Sequence, residues 1–184
     1  MVIALAGRRI DAPDADIPRF PPANEGRVRD RLRRAFEELG ATAVVSSAAC
    51  GADLVALEVA GTLELRRIVV LPWGRERFRE RSVVDRSQTW GERYDRVLDE
   101  VEAAGGLRVL ALEEDGEAAY AATNEAILSE ARELGGKAGK GGEAHRVVAV
   151  PVWDGQSRGP SDFTEQFVDA ARALGLEVRE VRTL

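Results

Sequence analysis

Short apolar segments alternate with amphipathic segments along most of the chain. The apolar segments are nearly continuous in Val, Ile, Leu and Ala, which is typical of parallel strands buried on both faces of a sheet. They cover residues 2–6, 43–46, 68–71, 109–112, 147–152 and 178–181. Because strands and helices alternate in this way in βαβ units, the pattern predicts an α/β fold with a mostly parallel sheet.

The amphipathic segments predict five helices between these strands. The first covers residues 25–39 and places Val28, Leu32 and Phe36 on one apolar stripe. Gly40 follows it directly, as glycine commonly does at the C-terminal end of a helix. The other four helices are expected at residues 53–65, 91–104, 117–134 and 164–174.

Length and composition narrow the class of protein. A chain of 184 residues suits one domain, and residues 135–144, rich in glycine and lysine, are interpreted as a mobile loop within it. The one cysteine, Cys50, cannot form an internal disulfide, which is typical of the reducing cytoplasm. No apolar run approaches the ~20 residues that cross a bilayer. We therefore expect a cytoplasmic protein with no membrane partner.

The net charge of −6 changes the expectations about partners. Proteins that bind nucleic acids through bulk electrostatics are usually basic, so this balance argues against a nucleic-acid partner. The only histidine, His145, has no cluster of Cys, Asp or Glu beside it that resembles a metal site or a catalytic triad. We expect neither a metal nor a cofactor.

The residues after the first predicted strand are candidates for anion binding, because ligands of open α/β sheets bind beyond the carboxyl ends of the strands. Gly7 permits a tight exit, and the guanidinium groups of Arg8 and Arg9 can bind phosphate or carboxylate. An ordinary polar loop is the alternative interpretation. As a loop residue, Arg8 is expected to contribute to ligand binding and little to stability.

The second predicted strand leads into a turn of small residues before a helix. Ser47 and Gly51 lie in this turn, where backbone N–H groups can approach an anion at the helix N-terminus. Asp53 can cap the first N–H groups of that helix or accept a hydrogen bond from a ribose hydroxyl. Cys50 has small neighbours and no histidine to activate it, which favours a packing role.

A long polar segment follows the fifth predicted strand and ends at a helix start that Asp162 or Thr164 can cap. Its length and its glycines make it the strongest candidate for a ligand-binding loop. The candidate ligand-binding residues in it are Trp153, Asp154, Gly155, Gly159, Ser161 and Thr164.

Five segments, taken in order, resemble the SLOG superfamily of Rossmann-like nucleotide-binding domains, which includes the Smf/DprA and LOG families. The segments are IALAGRR, VVSSAACGADLVALEVA, RIVVLPWG, ATNEAI and the closing VVAVPVWDG with its loop and helix. The resemblance implies a single-domain, Rossmann-like three-layer sandwich with strand order 4-3-2-1-5-6. It also adds Asn124 to the candidate ligand-binding residues.

The chain departs from the family pattern where LOG enzymes bind phosphate and catalyse hydrolysis. When the chain is aligned on Thr164, Asp162 and Phe163 replace glycines of the LOG loop, and Phe167 replaces its catalytic Glu. A phenylalanine cannot transfer a proton. DNA-processing proteins carry an arginine before the conserved Asn, where this chain has Thr123.

These observations lead to three hypotheses. The first is a protein that binds or senses a nucleotide or a nucleotide-derived small molecule at the carboxyl ends of the strands. The alternative is a hydrolase of an N-glycosidic or nucleotide bond, in which Asp53, Asp154 or Asp162 replaces the missing Glu. The third is a self-associating scaffold with a vestigial crevice. No catalytic residue is assigned.

A homodimer is also expected, because members of the superfamily commonly dimerise through helices that flank the sheet. The candidate surface is the helix predicted at residues 91–104. Its apolar side chains are Tyr94, Val97, Leu98 and Val101.

Overall fold

One seven-stranded sheet runs through the part of the chain that the computed structural model describes, residues 1–113, 116–136 and 146–184. Its strands are β1 (Val2–Gly7), β2 (Ala43–Ser46), β3 (Arg66–Leu71), β4 (Leu107–Val109), β5 (Val147–Trp153), β6 (Glu177–Val178) and β7 (Val181–Arg182). The order is β4-β3-β2-β1-β5-β6, with β7 also paired to β5, and the paired strands are parallel. The predicted fold class and strand order are confirmed.

Helices cover both faces of this sheet. They are α1 (Glu25–Glu38), α2 (Ala52–Thr62), α3 (Arg75–Ser82), α4 (Gln88–Ala103), α5 (Glu117–Gly136) and α6 (Phe163–Ala173), and a short 3-10 helix (Pro22–Asn24) precedes α1. Apolar side chains of α1, α2 and α4 pack on one face, and those of α5 and α6 pack mainly on the other. The result is the three-layer arrangement that the family resemblance implies.

Strand β1 shows why the strands are continuously apolar. Ile3 and Leu5 pack beneath α1 and α2, whereas Val2 and Ala4 pack beneath α5 and α6. Successive residues of a strand point to opposite faces, and here both faces are covered. A polar residue at any of these positions would therefore be buried.

Two strands differ from the sequence-based prediction. β4 ends at Val109, because Ala111 adopts a left-handed conformation (φ +53°) that interrupts the extended backbone. The chain still follows β3 as far as Leu112, whose N–H donates to the carbonyl of Pro72. The last predicted strand is divided into β6 and β7, both of which pair with β5.

Helix α3 was not predicted, because its sequence of alternating arginines and glutamates shows no apolar stripe. One apolar side chain, Phe78, is buried beneath it. Arg75 pairs with Asp99 and Glu102 of α4, and Arg79 pairs with Asp95 of the same helix. Ion pairs with α4 thus hold α3 in position, although hydrophobic periodicity cannot identify α3 in the sequence.

The surface predicted for dimerisation is wrong. Tyr94, Val97, Leu98 and Val101 of α4 are buried in the core of the chain itself, against β3 and α2. They are the helix's core-facing stripe and leave no apolar surface for a second copy. The homodimer stays a prediction without an assigned interface.

Two further predictions are not tested by the fold. The predicted mobile loop at residues 135–144 and the adjacent His145 lie outside the described residues, except for Gly135 and Gly136 at the end of α5. The prediction that the whole chain is one domain also stays a prediction. None of the helices within the described ranges is long and apolar enough to cross a membrane.

Gly51 supplies a stability test, because the chain passes very close to it. Its φ is +112°, and an added Cβ would overlap the backbone nitrogen of Ile10. We expect Gly51→Ala to destabilise the protein by about 2 kcal/mol or more.

Gly26→Ala is the control: Gly26 lies in α1 with no atom within 4 Å of an added Cβ. It should stabilise by ~0.5–1 kcal/mol in urea unfolding. Equal stability of the two variants would contradict the close approach.

Candidate functional site

A cavity of about 280 Å³ lies where β1 and β2 end, beside the segment that joins β5 to α6. This volume is near the lower end of the ~300–1,000 Å³ range of small-molecule sites. Its location is the one at which open α/β sheets bind ligands. The lining residues are Ala6, Gly7, Arg9, Ser47, Ala49, Asp53, Phe78, Ser82, Tyr120, Thr123, Asn124, Ile127, Arg158, Phe163 and Thr164.

The cavity brings together part of the predicted site. The predicted residues that line it are Gly7, Arg9, Ser47, Asp53, Asn124 and Thr164. Residues distant in the sequence thus converge, because the carboxyl ends of parallel strands meet at one edge of the sheet. The predicted residues that do not line it are Arg8, Gly51, Trp153, Asp154, Gly155, Gly159 and Ser161.

Arg8 is a buried structural residue and not the exposed loop charge that the sequence suggests. It is 2% exposed, and its Nη1 donates to Oδ1 of Asp162 at 2.6 Å. Its Nε donates to Asp154 at 3.0 Å, and its Nη2 donates to the carbonyl of Gln156 at 2.6 Å. Burial disfavours the charge of Arg8, but the hydrogen bonds to the two carboxylates outweigh this cost and raise its pKa.

Asp162 is the partner that anchors Arg8, and it also caps α6. Its buried carboxylate accepts the backbone N–H groups of Thr164 and Glu165 through Oδ1 and that of Arg158 through Oδ2. Burial alone would raise the pKa of Asp162, yet these bonds and the Arg8 bond lower it to about 2. The carboxylate therefore stabilises the fold at neutral pH, and this contribution is lost as the pH falls from 3.8 towards about 2.

The rest of the predicted ligand loop after β5 is held by structural contacts. Asp154 accepts a second hydrogen bond, from Nη1 of Arg19 at 2.6 Å. The indole N–H of Trp153 donates to Glu180 at 3.2 Å, and Gly155 lies against the guanidinium of Arg182. These contacts hold the loop against neighbouring segments, and Trp153, Asp154 and Gly155 do not line the cavity.

The Arg8 network gives a prediction that reverses the sequence-based one. Replacing Arg8 by Met should destabilise the protein by about 3–5 kcal/mol, because buried Asp162 would lose its hydrogen-bonded counter-ion and Asp154 one of its two arginines. The control is Arg146→Met, which breaks an exposed 2.8 Å pair with Glu177 and should cost about 1 kcal/mol or less. Denaturant unfolding at pH 7 measures both. A stability loss for Arg8→Met no greater than the control's would show that Arg8 is an ordinary surface charge.

Asp53 is the least satisfied polar group of the cavity wall. Its side chain is on the first turn of α2, and the residue is only 5% exposed. Oδ2 accepts the N–H of Ala49 at 3.3 Å, whereas Oδ1 is buried without a hydrogen-bond partner. Burial of the charge is the dominant effect and raises the pKa of Asp53 to about 7, although backbone N–H groups and Arg9 oppose it.

This raised pKa predicts a specific dependence of stability on pH. Since the folded protein holds the Asp53 proton more tightly than the unfolded chain, its contribution to stability is greatest below pH 3.8 and is lost as the pH rises through about 7. Asp53→Asn removes this loss. We expect the variant to gain roughly 1–3 kcal/mol relative to the wild type between pH 5 and pH 8. Urea unfolding at the two pH values measures the change, and a constant difference would contradict the raised pKa.

Aromatic side chains form a wall of the cavity that was not predicted. The rings of Tyr120 and Phe163 lie 5.4 Å apart, and the Tyr120 hydroxyl is 3.0 Å from Oγ of Ser82. Thr123, Asn124 and Ile127 come three, four and seven residues after Tyr120, which places them on one face of α5. That spacing, with polar residues on a core-facing stripe, was the available signal in the sequence.

Asn124 connects this wall to the start of α6. Its Nδ2 donates to the carbonyl of Phe163 at 2.8 Å. This bond positions Phe163 and the neighbouring Thr164, both of which line the cavity. The asparagine predicted as a ligand contact therefore also has a structural role.

Two arginines bring positive charge to the cavity, and they differ in how far they are neutralised. Nη2 of Arg9 contacts Asp85 and lies 3.5 Å from Sγ of buried Cys50, but its Nε is buried without a partner. Burial raises the pKa of Cys50, as expected for a packing residue. Arg158 is half-exposed and lies 3.6 Å from Asp162, beyond hydrogen-bond length.

The described residues offer no metal site: among them, no group of three or more His, Cys, Asp or Glu side chains is arranged to hold an ion.

The fold and the cavity together define a Rossmann-like α/β protein with a cavity of about 280 Å³ at the carboxyl ends of its strands. The chain matches no protein-family model and no curated protein. Among solved structures, it is similar to DNA processing protein A (DprA) from Streptococcus pneumoniae, with a TM-score of 0.42 and 14% sequence identity. The similarity covers 96% of this chain and 57% of that chain, so this protein spans little more than half of the DprA chain.

Proposed function

We propose that the cavity binds a nucleotide or a nucleotide-derived small molecule, as a binding or sensing site. Its wall combines an apolar, aromatic side with a few polar groups, which is the usual composition of a specific small-molecule site. Phe78, Tyr120 and Phe163 supply the apolar surface that a base can contact. Ser47, Asp53 and Asn124 supply the polar groups that can select hydroxyls or base edges.

The observation that carries this proposal is the unpartnered Oδ1 of Asp53. Among the described residues, only three buried side-chain polar atoms lack a hydrogen-bond partner: Arg9 Nε, Ser46 Oγ and Asp53 Oδ1. Two of them belong to residues that line this cavity. A buried acceptor without a donor costs roughly 1–3 kcal/mol. A ligand hydroxyl or N–H that donates to Asp53 would remove this cost, and the binding energy would include that gain.

A hydrolase remains the second candidate function, and the same residue supports it. Of the three carboxylates considered as replacements for the missing Glu, Asp154 and Asp162 are held by Arg8 and do not line the cavity. Asp53 does line it, and its pKa near 7 is that of an efficient general acid or base at neutral pH. Hydrolysis of an N-glycosidic bond would need this group to donate a proton to the leaving base, while a water molecule forms the new bond to the anomeric carbon and gives up a proton to solvent.

Binding is tested by calorimetry at pH 7.5 with the four ribonucleosides and their 5′-monophosphates. We expect at least one compound to bind, and Asp53→Asn to weaken it by about tenfold or more, the loss of a hydrogen bond to a charged group. Asp169→Asn, at an exposed carboxylate on α6, is the matched control and should bind like the wild type. If no compound binds, or both variants bind equally well, the proposal fails.

Incubation of each bound compound with the protein, followed by chromatography, separates the two functions. An unchanged compound supports a binding or sensing site. Release of free base by the wild type, together with its loss in Asp53→Asn, would support the hydrolase instead. Asp169→Asn again serves as the control, since its carboxylate does not line the cavity.

A further inference from the structure

The positions at which this fold would hold a phosphate are occupied by the chain's own acceptors. At the N-terminus of α6, Asp162 accepts the N–H groups of Thr164 and Glu165 and also that of Arg158. These are the donors, together with the positive end of the helix dipole, that an anionic ligand would use. The Asp162 carboxylate therefore takes the place of a bound anion.

Three backbone N–H groups of the turn between β2 and α2 also have acceptors within the chain. Ala49 donates to Asp53, Cys50 to the carbonyl of Ser82, and Ala52 to the carbonyl of Arg8. A phosphate in this turn would have to displace these bonds. It would also lie beside the Asp53 carboxylate, whose negative charge would repel it.

Arg8, which contacts both positions through Asp162 and Ala52, is unavailable as well. Arg8 is buried between Asp154 and Asp162, so its charge is compensated before any ligand arrives. Arg9 shares its charge with Asp85. Arg158 is the remaining cation of the cavity wall, and it lies 3.6 Å from the Asp162 carboxylate.

We propose that the ligand is uncharged and bears hydroxyl groups, a nucleoside rather than its phosphate ester; this inference rests on the proposed function. The two unpartnered atoms of lining residues suit such a ligand, because Asp53 Oδ1 needs a donor and Arg9 Nε needs an acceptor. A hydroxyl satisfies both kinds of group, since it donates and accepts. The phosphate group of a monophosphate offers only acceptors when it is fully ionised, so it cannot donate to Asp53.

The test compares the affinity of each ribonucleoside with that of its 5′-monophosphate by calorimetry, at pH 7.5 and constant ionic strength. In the wild type, we expect the phosphate to improve the affinity by less than about tenfold, below the value of one good charge-assisted contact. An improvement of about tenfold or more would overturn the inference and leave the proposed function intact. Absence of binding by every compound would overturn both.

Asp162→Asn supplies a gain-of-function arm. The asparagine side chain can still cap α6, but the helix N-terminus would lose its negative charge and Arg8 would keep only Asp154 as a counter-ion. We expect the affinity for monophosphates to rise by about tenfold or more relative to the nucleosides. Asp169→Asn is the control, and its preference should not change.

Because Asp162→Asn can lose stability, Asp53→Asn provides a second variant that is expected to be more stable than the wild type at pH 7.5. It removes the Asp53 carboxylate beside the turn between β2 and α2. The preference should therefore again shift towards the monophosphate, although nucleoside binding itself weakens. Thermal denaturation verifies that each variant is folded. An unchanged preference in both folded variants would contradict the role of the internal carboxylates.

Discussion

The buried contact between Arg8 and Asp162 is the interaction on which the functional edge of this protein depends. It joins the residue that leaves β1 to the residue that begins α6, which are separated by 154 positions in the sequence. Asp154 and Arg19 extend the contact to the loop after β5 and to the segment before α1. Breaking a buried pair leaves an uncompensated charge in the interior, so these segments are held together more firmly than loops usually are.

This network also determines what remains for a ligand. Arg8 and Asp162 form an ion pair with each other, and Asp162 also accepts the N–H groups at the N-terminus of α6. These charged groups therefore contribute to the stability of the fold. The cavity retains weaker and more selective groups: an aromatic wall, the unpartnered Oδ1 of Asp53 and the half-exposed Arg158. A site of this composition distinguishes ligands by the placement of hydrogen-bond donors more than by charge.

The sequence predicts the scaffold well, because buried strands and single-stripe helices are visible as local periodicity. The strand order, the position of the cavity at the strand ends and the presence of Asp53 in its wall follow from the hydrophobic pattern and from the family resemblance. Helix α3 and the end of β4 do not, since an ion-paired helix and one left-handed residue, Ala111, leave no periodic signal. The burial of Arg8 against two carboxylates could not be predicted either. Whether a guanidinium meets a ligand or a carboxylate depends on Asp154 and Asp162, whose positions only the folded chain defines.

The protonation of Asp53 is the property that most directly tests this account. A carbon-13 NMR titration of its carboxyl carbon, with and without a saturating ribonucleoside, measures that property at the atom concerned. The account predicts a pKa of about 7 in the free protein, because burial disfavours the charge. It also predicts a clear decrease when a ligand hydroxyl donates to the carboxylate. A free-protein pKa near the ordinary value of 3.8, or a pKa that a bound nucleoside leaves unchanged, would contradict it.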